Sequence, residues 1–312
     1  MHSHAPVLLE EAVMALNIKP GGIYVDATYG RGGHSRAIAE RLSPQGRIIA
    51  LDRDPEAVRS GRGDPPAGPR FDIVQGPFSQ LRRIQQQLSP ERLADGILAD
   101  LGVSSPQLED AGRGFAFNRE GPLDMRMDPD SGPSAREWIA EADQSELKRV
   151  IKTYGEEKHA GRIARAIVEQ RMTSPINTTR ELAELIARHV PEREPGRHPA
   201  TRTFQAIRMH INDELGQLRA FLPQAVEGLN AGGRLVVISF HSLEDRIVKR
   251  FIRDEARGDP YPKDLPVTAE QLKPRLRVVG KPVRPSEPEL RANRRARSAI
   301  MRVAERTEVA YA

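Results

Sequence analysis

Side chains able to hold a nucleotide-like ligand, or to move a proton, gather at a few places in the first hundred residues. The segment Val25-Asp-Ala-Thr-Tyr-Gly-Arg-Gly-Gly33-His34 runs from a strand-like stretch into glycines and then into a helical pattern. Glycines at such a turn let the backbone approach a ligand closely, and the start of the following helix offers unpaired N–H groups. A Gly-x-Gly by itself often marks only a tight turn. Asp52 narrows the reading, because it closes the next strand 19 residues after Gly33. In a doubly wound sheet a carboxylate there accepts hydrogen bonds from ribose hydroxyls; a surface Asp at a strand end is the bland alternative. A nicotinamide cofactor would place the third glycine of G-x-G-x-x-G at Ser35. Asp26, ahead of the glycines, suits the methionine end of S-adenosylmethionine, so the methyl donor is favoured.

Further candidates fall at strand ends. Asp100 ends the strand in Leu98-Ala-Asp-Leu-Gly-Val-Ser-Ser-Pro106, at the carboxyl edge where open α/β sheets bind ligands, and is placed to meet the adenine or the substrate. Phe78, in Gly76-Pro-Phe78, offers a ring for a flat base or simply a core side chain. His241 and Ser239 close a later strand and are candidates for substrate contact, with a helix-capping histidine as the competing reading. The absence of cysteine and the scattering of eight histidines give no metal site.

The elements that must position these residues follow from periodicity. Strands are expected at Gly22 to Ala27, Arg47 to Leu51, Phe71 to Gln75 and Gly96 to Leu101, alternating with helices from Ser35, Pro55 and Phe78, which is the rhythm of a parallel sheet with crossover helices. From about Pro106 to Gly216 no strand is expected. Helix starts recur instead, at Ser134-x-x-Glu137 and Thr178-x-x-Glu181, and the stretches Gly161 to Met172 and Thr201 to Leu222 have apolar residues at helical spacing. A strand returns at Gly233 to Phe240, followed by a helix capped by Ser242-x-x-Asp245. Gly258 to Pro288 reads as an irregular loop, and Ala299 to Glu305 as a last strand. The fold class is therefore α/β, a doubly wound sheet split in sequence: a core of residues 1–105 and 217–312, with an all-helical domain, 106–216, inserted for substrate recognition.

The chain has 312 residues, 48 Lys plus Arg against 43 Asp plus Glu, and a net charge of +5. The modest excess is unevenly placed. Arg291, Arg294, Arg295, Arg297 and Arg302 crowd the C-terminal region, and Arg162, Arg165, Arg171, Arg202 and Arg208 lie in the helical insertion, where they are expected either to meet phosphates or to be a solvated face. No apolar run approaches the roughly 20 residues of a bilayer span, and no signal segment opens the chain, so a cytoplasmic protein is expected.

Taken in order, Asp26-Ala-Thr-Tyr-Gly-Arg-Gly-Gly-His-Ser35, Asp52-Arg-Asp-Pro55, Gly76-Pro-Phe78, Asp100-Leu-Gly-Val-Ser-Ser-Pro-Gln107, Gly121-Pro-Leu-Asp-Met-Arg-Met-Asp128, His198-Pro-Ala-Thr-Arg-Thr-Phe-Gln205 and Ile238-Ser-Phe-His-Ser-Leu-Glu-Asp-Arg246 resemble the ribosomal RNA small subunit methyltransferase H family, also called MraW. The resemblance spans nearly the whole chain. It implies a Rossmann-like methyltransferase sheet and transfer of a methyl group from S-adenosylmethionine to N4 of a cytidine in the decoding region of 16S ribosomal RNA. By motif position it implies Gly32, Gly33, His34, Asp52, Phe78, Asp100 and Gln107 as donor-binding residues. Asp100 is also the candidate proton acceptor, although the polar-Pro-Pro-aromatic segment of many amine methyltransferases is here Asp100-Leu-Gly-Val. Asp124, Arg126 and His241 are the substrate candidates, and Asp128 shares the loop of the first two. The expected partner is 16S ribosomal RNA, free or within the small subunit, with no membrane and with a homodimer as one way to widen the contact surface. Two other readings stay open: an enzyme acting on a small metabolite, and a donor-binding ribosome assembly factor without catalysis.

Overall fold

The computed structural model describes residues 6–190, 198–259, 261 and 268–309, and the chain divides into two compact units. One comprises Met1–Gly102 and Leu215–Ala312, the other Val103–Glu214, against expected edges at 105/106 and 216/217.

The first unit is built on a seven-stranded sheet: β1 (Ile23–Asp26), β2 (Arg47–Asp52), β3 (Arg70–Gln75), β4 (Ala94–Asp100), β5 (Leu229–Ser239), β6 (Leu276–Val278) and β7 (Ile300–Arg306). Their order across the sheet is β3-β2-β1-β4-β5-β7-β6. The first five strands run parallel, whereas β7 is antiparallel to both β5 and β6. All four residues of β1 are buried, as expected of a parallel strand covered on both faces. Successive side chains point to opposite faces, and two apolar layers result. Ile23, Val25, Ile49, Leu51, Ile97 and Val237 face one layer with Phe221, Leu222 and Ile252; Tyr24, Ile48, Leu98, Val236 and Ile238 face the other with Val13, Leu16 and Ile38.

The helices of this unit are α1 (Leu9–Ala15), α2 (Gly33–Ala39), α3 (Pro55–Gly63) and α4 (Leu81–Leu88) in its first segment. The second unit holds α5 (Ser105–Glu109), α6 (Ala135–Glu141), α7 (Gln144–Gly155), α8 (Ala160–Thr173), α9 (Thr179–His189) and α10 (Thr201–Ile211). Then come α11 (Glu214–Glu227), α12 (Ser242–Arg257), α13 (Ala269–Leu272) and α14 (Glu287–Ala292). Chain order reverses in the sheet at β1, whose neighbours are β2 and β4; the crevice beyond the carboxyl ends of strands at such a switch point is where open α/β sheets bind ligands.

In the second unit both expected helix starts form complete capping boxes, Ser134 with Glu137 and Thr178 with Glu181. Phe204, Ile207, Leu147, Val150, Ile163 and Ile167 are among the apolar side chains of its core.

Several boundaries differ from expectation. The loop expected over Gly258 to Pro288, of which 260 and 262–267 lie outside the described residues, contains β6, whose three residues bury only Leu276. A strand that short shows no alternation to read; it exists because β7 offers it a ladder. The single helical stretch expected over Thr201 to Leu222 breaks at Asn212 and Asp213, the latter at φ 46°. His241, rather than Ser242, caps α12: its side chain accepts from the Glu244 N–H.

Candidate active site

The carboxyl ends of β1, β2, β4 and β5 bring Asp26, Asp52, Asp100 and Ser239 to one edge of the sheet. The glycine turn between β1 and α2 is fixed by carboxylates. Asp26, 1% exposed, accepts from the Ser35 hydroxyl at 2.6 Å and from the Thr28 N–H at 3.2 Å, tying the strand to the helix that follows. Burial raises its pKa, opposed by those hydrogen bonds. Asp52 accepts from the Gly30 N–H at 2.7 Å and from the Asp54 N–H at 2.9 Å; burial nevertheless pushes its pKa up to about 6. Each of its oxygens retains a second lone pair, which is what ribose hydroxyls need.

Gly32 adopts φ 71° as the residue before α2, and a Cβ there would lie 2.4 Å from the Tyr29 hydroxyl. A Cβ on Gly33 would lie 2.3 Å from Cγ of Pro6. Both glycines are thus required by the protein's own packing, whatever the turn binds. His34 is buried beside them, with Nδ1 3.8 Å from an Asp100 oxygen. Burial, partly offset by the Val7 backbone, lowers its pKa to about 4, so it is a neutral imidazole at pH 7.

Asp100 is strongly perturbed. Burial first, then the charges of Asp26 and Glu244, push its pKa up to about 8, with Arg295 pulling the other way. Its backbone N–H is held by the Thr28 hydroxyl at 2.7 Å. At pH 7 the carboxyl is mostly protonated in the donor-free protein, and a positive charge nearby favours the carboxylate. Phe78 stands half-buried after β3, edge-on to Phe221 with ring centroids 5.2 Å apart, which leaves it a packing role at its core side. Among the buried polar atoms with no hydrogen-bond partner among the described residues, four belong to residues at or just after these strand ends: His34 Nε2, Asp100 Oδ1, Ser239 Oγ and His241 Nε2. Buried polar atoms are normally paired, so this edge fits a polar ligand such as S-adenosylmethionine. His241 sits in the same unit, where its side chain caps α12 and its Nε2 lies 3.1 Å from Glu244 Oε1.

In the helical unit Gln107 is buried and accepts from the Ser104 N–H at 2.9 Å, closing the capping box of α5. Asp124 and Arg126 grip one another: Nε and Nη2 of Arg126 donate to the two Asp124 oxygens at 2.9 and 2.7 Å. Burial alone would raise the pKa of Asp124, but the Arg126 hydrogen bonds outweigh it and hold it below the usual range. The loop carrying the pair is clamped by two residues that sequence reasoning missed. Asn212, 2% exposed, accepts from Met127 N–H at 2.8 Å and donates to Met125 O at 2.7 Å. Arg113 donates to the carbonyls of Arg126 and Met127 at 3.1 and 2.8 Å. The signal for Asn212 was the interruption it makes in a helical pattern; Arg113 left none.

Four of the arginines expected either at phosphates or on a solvated face are engaged by the protein's own groups instead. Arg171 donates to the carbonyls of Ile139 and Ala142, Arg202 to that of Glu156, Arg208 forks onto Glu214, and Arg302 onto Asp245. Each ends a helix or joins two elements, so the guanidinium satisfies groups that water would otherwise serve. Arg162, Arg165, Arg291 and Arg297 are exposed, and the Arg294 side chain lies outside those described. No helix among the described residues is long and apolar enough to cross a membrane.

A sheet of this order with β7 antiparallel to both of its neighbours, a glycine turn after β1 and acids closing β1, β2 and β4 define a methyltransferase that uses S-adenosylmethionine. Residues 1–307 match the profile of the MraW methylase family, and the chain belongs to that family. It is 57% identical over 311 residues to the ribosomal RNA small subunit methyltransferase H of Thiobacillus denitrificans, covering 99% of each chain, and 56% identical to the protein of the same name from Chromohalobacter salexigens, covering 98% of this chain and 92% of that one. Among solved structures, an rRNA methylase from Streptococcus thermophilus is similar at 9% identity and a TM-score of 0.40, over 96% of this chain and 94% of that one, too distant a likeness to bear on function.

Proposed function

We infer that the protein methylates ribosomal RNA of the small subunit, and that the acceptor is the exocyclic N4 amine of a cytidine in the decoding region of 16S RNA. The observation that carries this reading is the end-to-end identity with relatives named ribosomal RNA small subunit methyltransferase H. The N4 position follows from the family resemblance of the seven motifs. When bound, S-adenosylmethionine supplies an electrophilic methyl on a positively charged sulfur. Gly32, Gly33, His34, Asp52, Phe78, Asp100 and Gln107 would hold it, with Asp52 on the ribose and the buried, neutral His34 beside Asp100.

A cytosine amine is a weak nucleophile because its lone pair is delocalised into the ring, so alignment and charge stabilisation dominate. After the new N–C bond forms, the amine must lose a proton. Asp100 accepts it in this reading, because a carboxyl with pKa near 8 is the stronger base once ionised. Asp124 and Arg126, held on a clamped loop, and His241 are the proposed contacts to the unstacked base and its strand. The helical unit, with Arg162 and Arg165 exposed, takes the RNA backbone.

The test is incubation with labelled S-adenosylmethionine and small subunits lacking their native methylation, followed by nucleoside analysis by mass spectrometry. Label in N4-methylcytidine is expected. Label in another nucleoside would overturn the assignment of the acceptor, and donor binding without transfer to any ribosomal substrate would favour a non-catalytic assembly role.

A further inference from the structure

Away from the strand ends, the sheet unit carries a cavity of about 280 Å³ between α12 and the β6–β7 edge. Its walls are Ile252 and Ala256 on the helix and Val278 on the strand, the last 55% exposed because β6 is the edge of the sheet. Around this apolar floor stand Lys249, Arg257 and Lys281, none of which makes an ion pair with a described residue. Lys249, Ile252, Ala256 and Arg257 recur at helical spacing, so one face of α12 presents cation, apolar floor and cation in line. The two other arginines at the rim are already paired, Arg253 with Asp254 and Arg302 with Asp245.

We propose that this cavity binds one nucleotide of a single-stranded RNA segment flanking the methylated base, its base on the Ile252–Ala256–Val278 floor and its phosphates at Lys249, Arg257 and Lys281. The occupant is chosen by charge: cations around an apolar slot match a polyanion with flat apolar bases, and they repel a second copy of a chain whose net charge is +5. Position agrees. At 1.5 Å per residue, Lys249 and Arg257 lie about 10 and 22 Å along α12 from Ser242 at the sheet's carboxyl edge, a span that a strand of a few nucleotides covers. The proposal rests on the RNA-methylating reading above, but concerns capture of the strand and not chemistry.

The experiment is fluorescence anisotropy of the full-length protein with a labelled 12-nucleotide single-stranded oligoribonucleotide over a salt series, with donor affinity measured in parallel. Lys249→Glu with Lys281→Glu is expected to weaken RNA binding by at least tenfold and to flatten the log–log salt slope by about 1.4, at 0.7 per phosphate contact. Ala256→Trp, which fills the slot and keeps the charges, is expected to weaken binding with the slope unchanged. S-adenosylmethionine affinity stays at the wild-type value in all of them, which also reports correct folding. Equal RNA affinity and slope in both variants overturns the proposal, as does equal competition by an acidic peptide of matching charge. Failure of the cavity alone leaves wild-type methylation of ribosomal RNA intact, whereas failure of the function itself shows as wild-type protein that binds the donor and methylates no RNA.

Discussion

Replacing Asp100 by Asn should change the stability of the sheet unit relative to wild type by a difference that rises with pH. The ordinary pKa of an aspartate is 3.8 and the folded protein pushes Asp100 up to about 8. Below about pH 4 the carboxyl is protonated in folded and unfolded chains alike, and its contribution to stability is fully present. Between about pH 4 and pH 8 the unfolded chain has released a proton that the folded chain still holds, so stability falls as pH rises through this window and levels off above it. At about 1.4 kcal/mol per pKa unit, the loss by pH 7 is on the order of 4 kcal/mol. The substituted amide has nothing to ionise and escapes it. With about 2–4 °C per kcal/mol for a unit of this size, the melting temperature of the variant relative to wild type should climb by about 8–16 °C between pH 4.5 and pH 8. Calorimetric scans of both proteins across that range give the answer. An amide packs differently from a carboxyl, so the sign of the difference at one pH decides nothing; its slope does. A difference that stays flat from pH 4.5 to 8.5 would refute the claim that burial among Asp26, Glu244 and the sheet edge holds Asp100 protonated.

The same acid predicts that S-adenosylmethionine, with its positive sulfonium, releases a proton on binding near pH 7 while S-adenosylhomocysteine releases far less; calorimetry in buffers of different ionisation enthalpy checks this, and Asp100→Asn should erase the difference. Gly32→Ala should cost about 1–3 kcal/mol, because the residue must keep a positive φ and its methyl would meet the Tyr29 ring; denaturant melts report it, with loss of donor affinity in calorimetry. Asn212→Ala should lower the stability of the helical unit by about 2–3 kcal/mol, since it strands the Met127 N–H and the Met125 carbonyl in a buried place. Donor binding should survive that change, and transfer to RNA should fall. Unchanged transfer would show that the Asp124–Arg126 loop needs no clamp.

The amino-acid sequence by itself determined the repeating strand–helix rhythm, the acids at strand ends and the helix starts of the second unit. These are local facts: β1 must be apolar throughout to be buried on both faces, and Ser134-x-x-Glu137 or Thr178-x-x-Glu181 satisfies a helix terminus within four residues. Only the tertiary structure decided what those residues spend their polar groups on. The glycines at 32 and 33 read as a ligand turn, yet Tyr29 and Pro6 leave no space for a side chain there. Arg171, Arg202, Arg208 and Arg302 looked like phosphate contacts by type and placement, and each is instead bound to a carbonyl or carboxylate. β6 was invisible because three residues carry no period; its pairing comes from β7. The state of Asp100 is the sharpest case, since nothing in Leu98-Ala-Asp-Leu distinguishes an ordinary carboxylate from one held neutral. Its pKa is set by burial and by Asp26 and Glu244, which lie 74 residues before it and 144 after it in the chain and meet it only when the sheet is assembled.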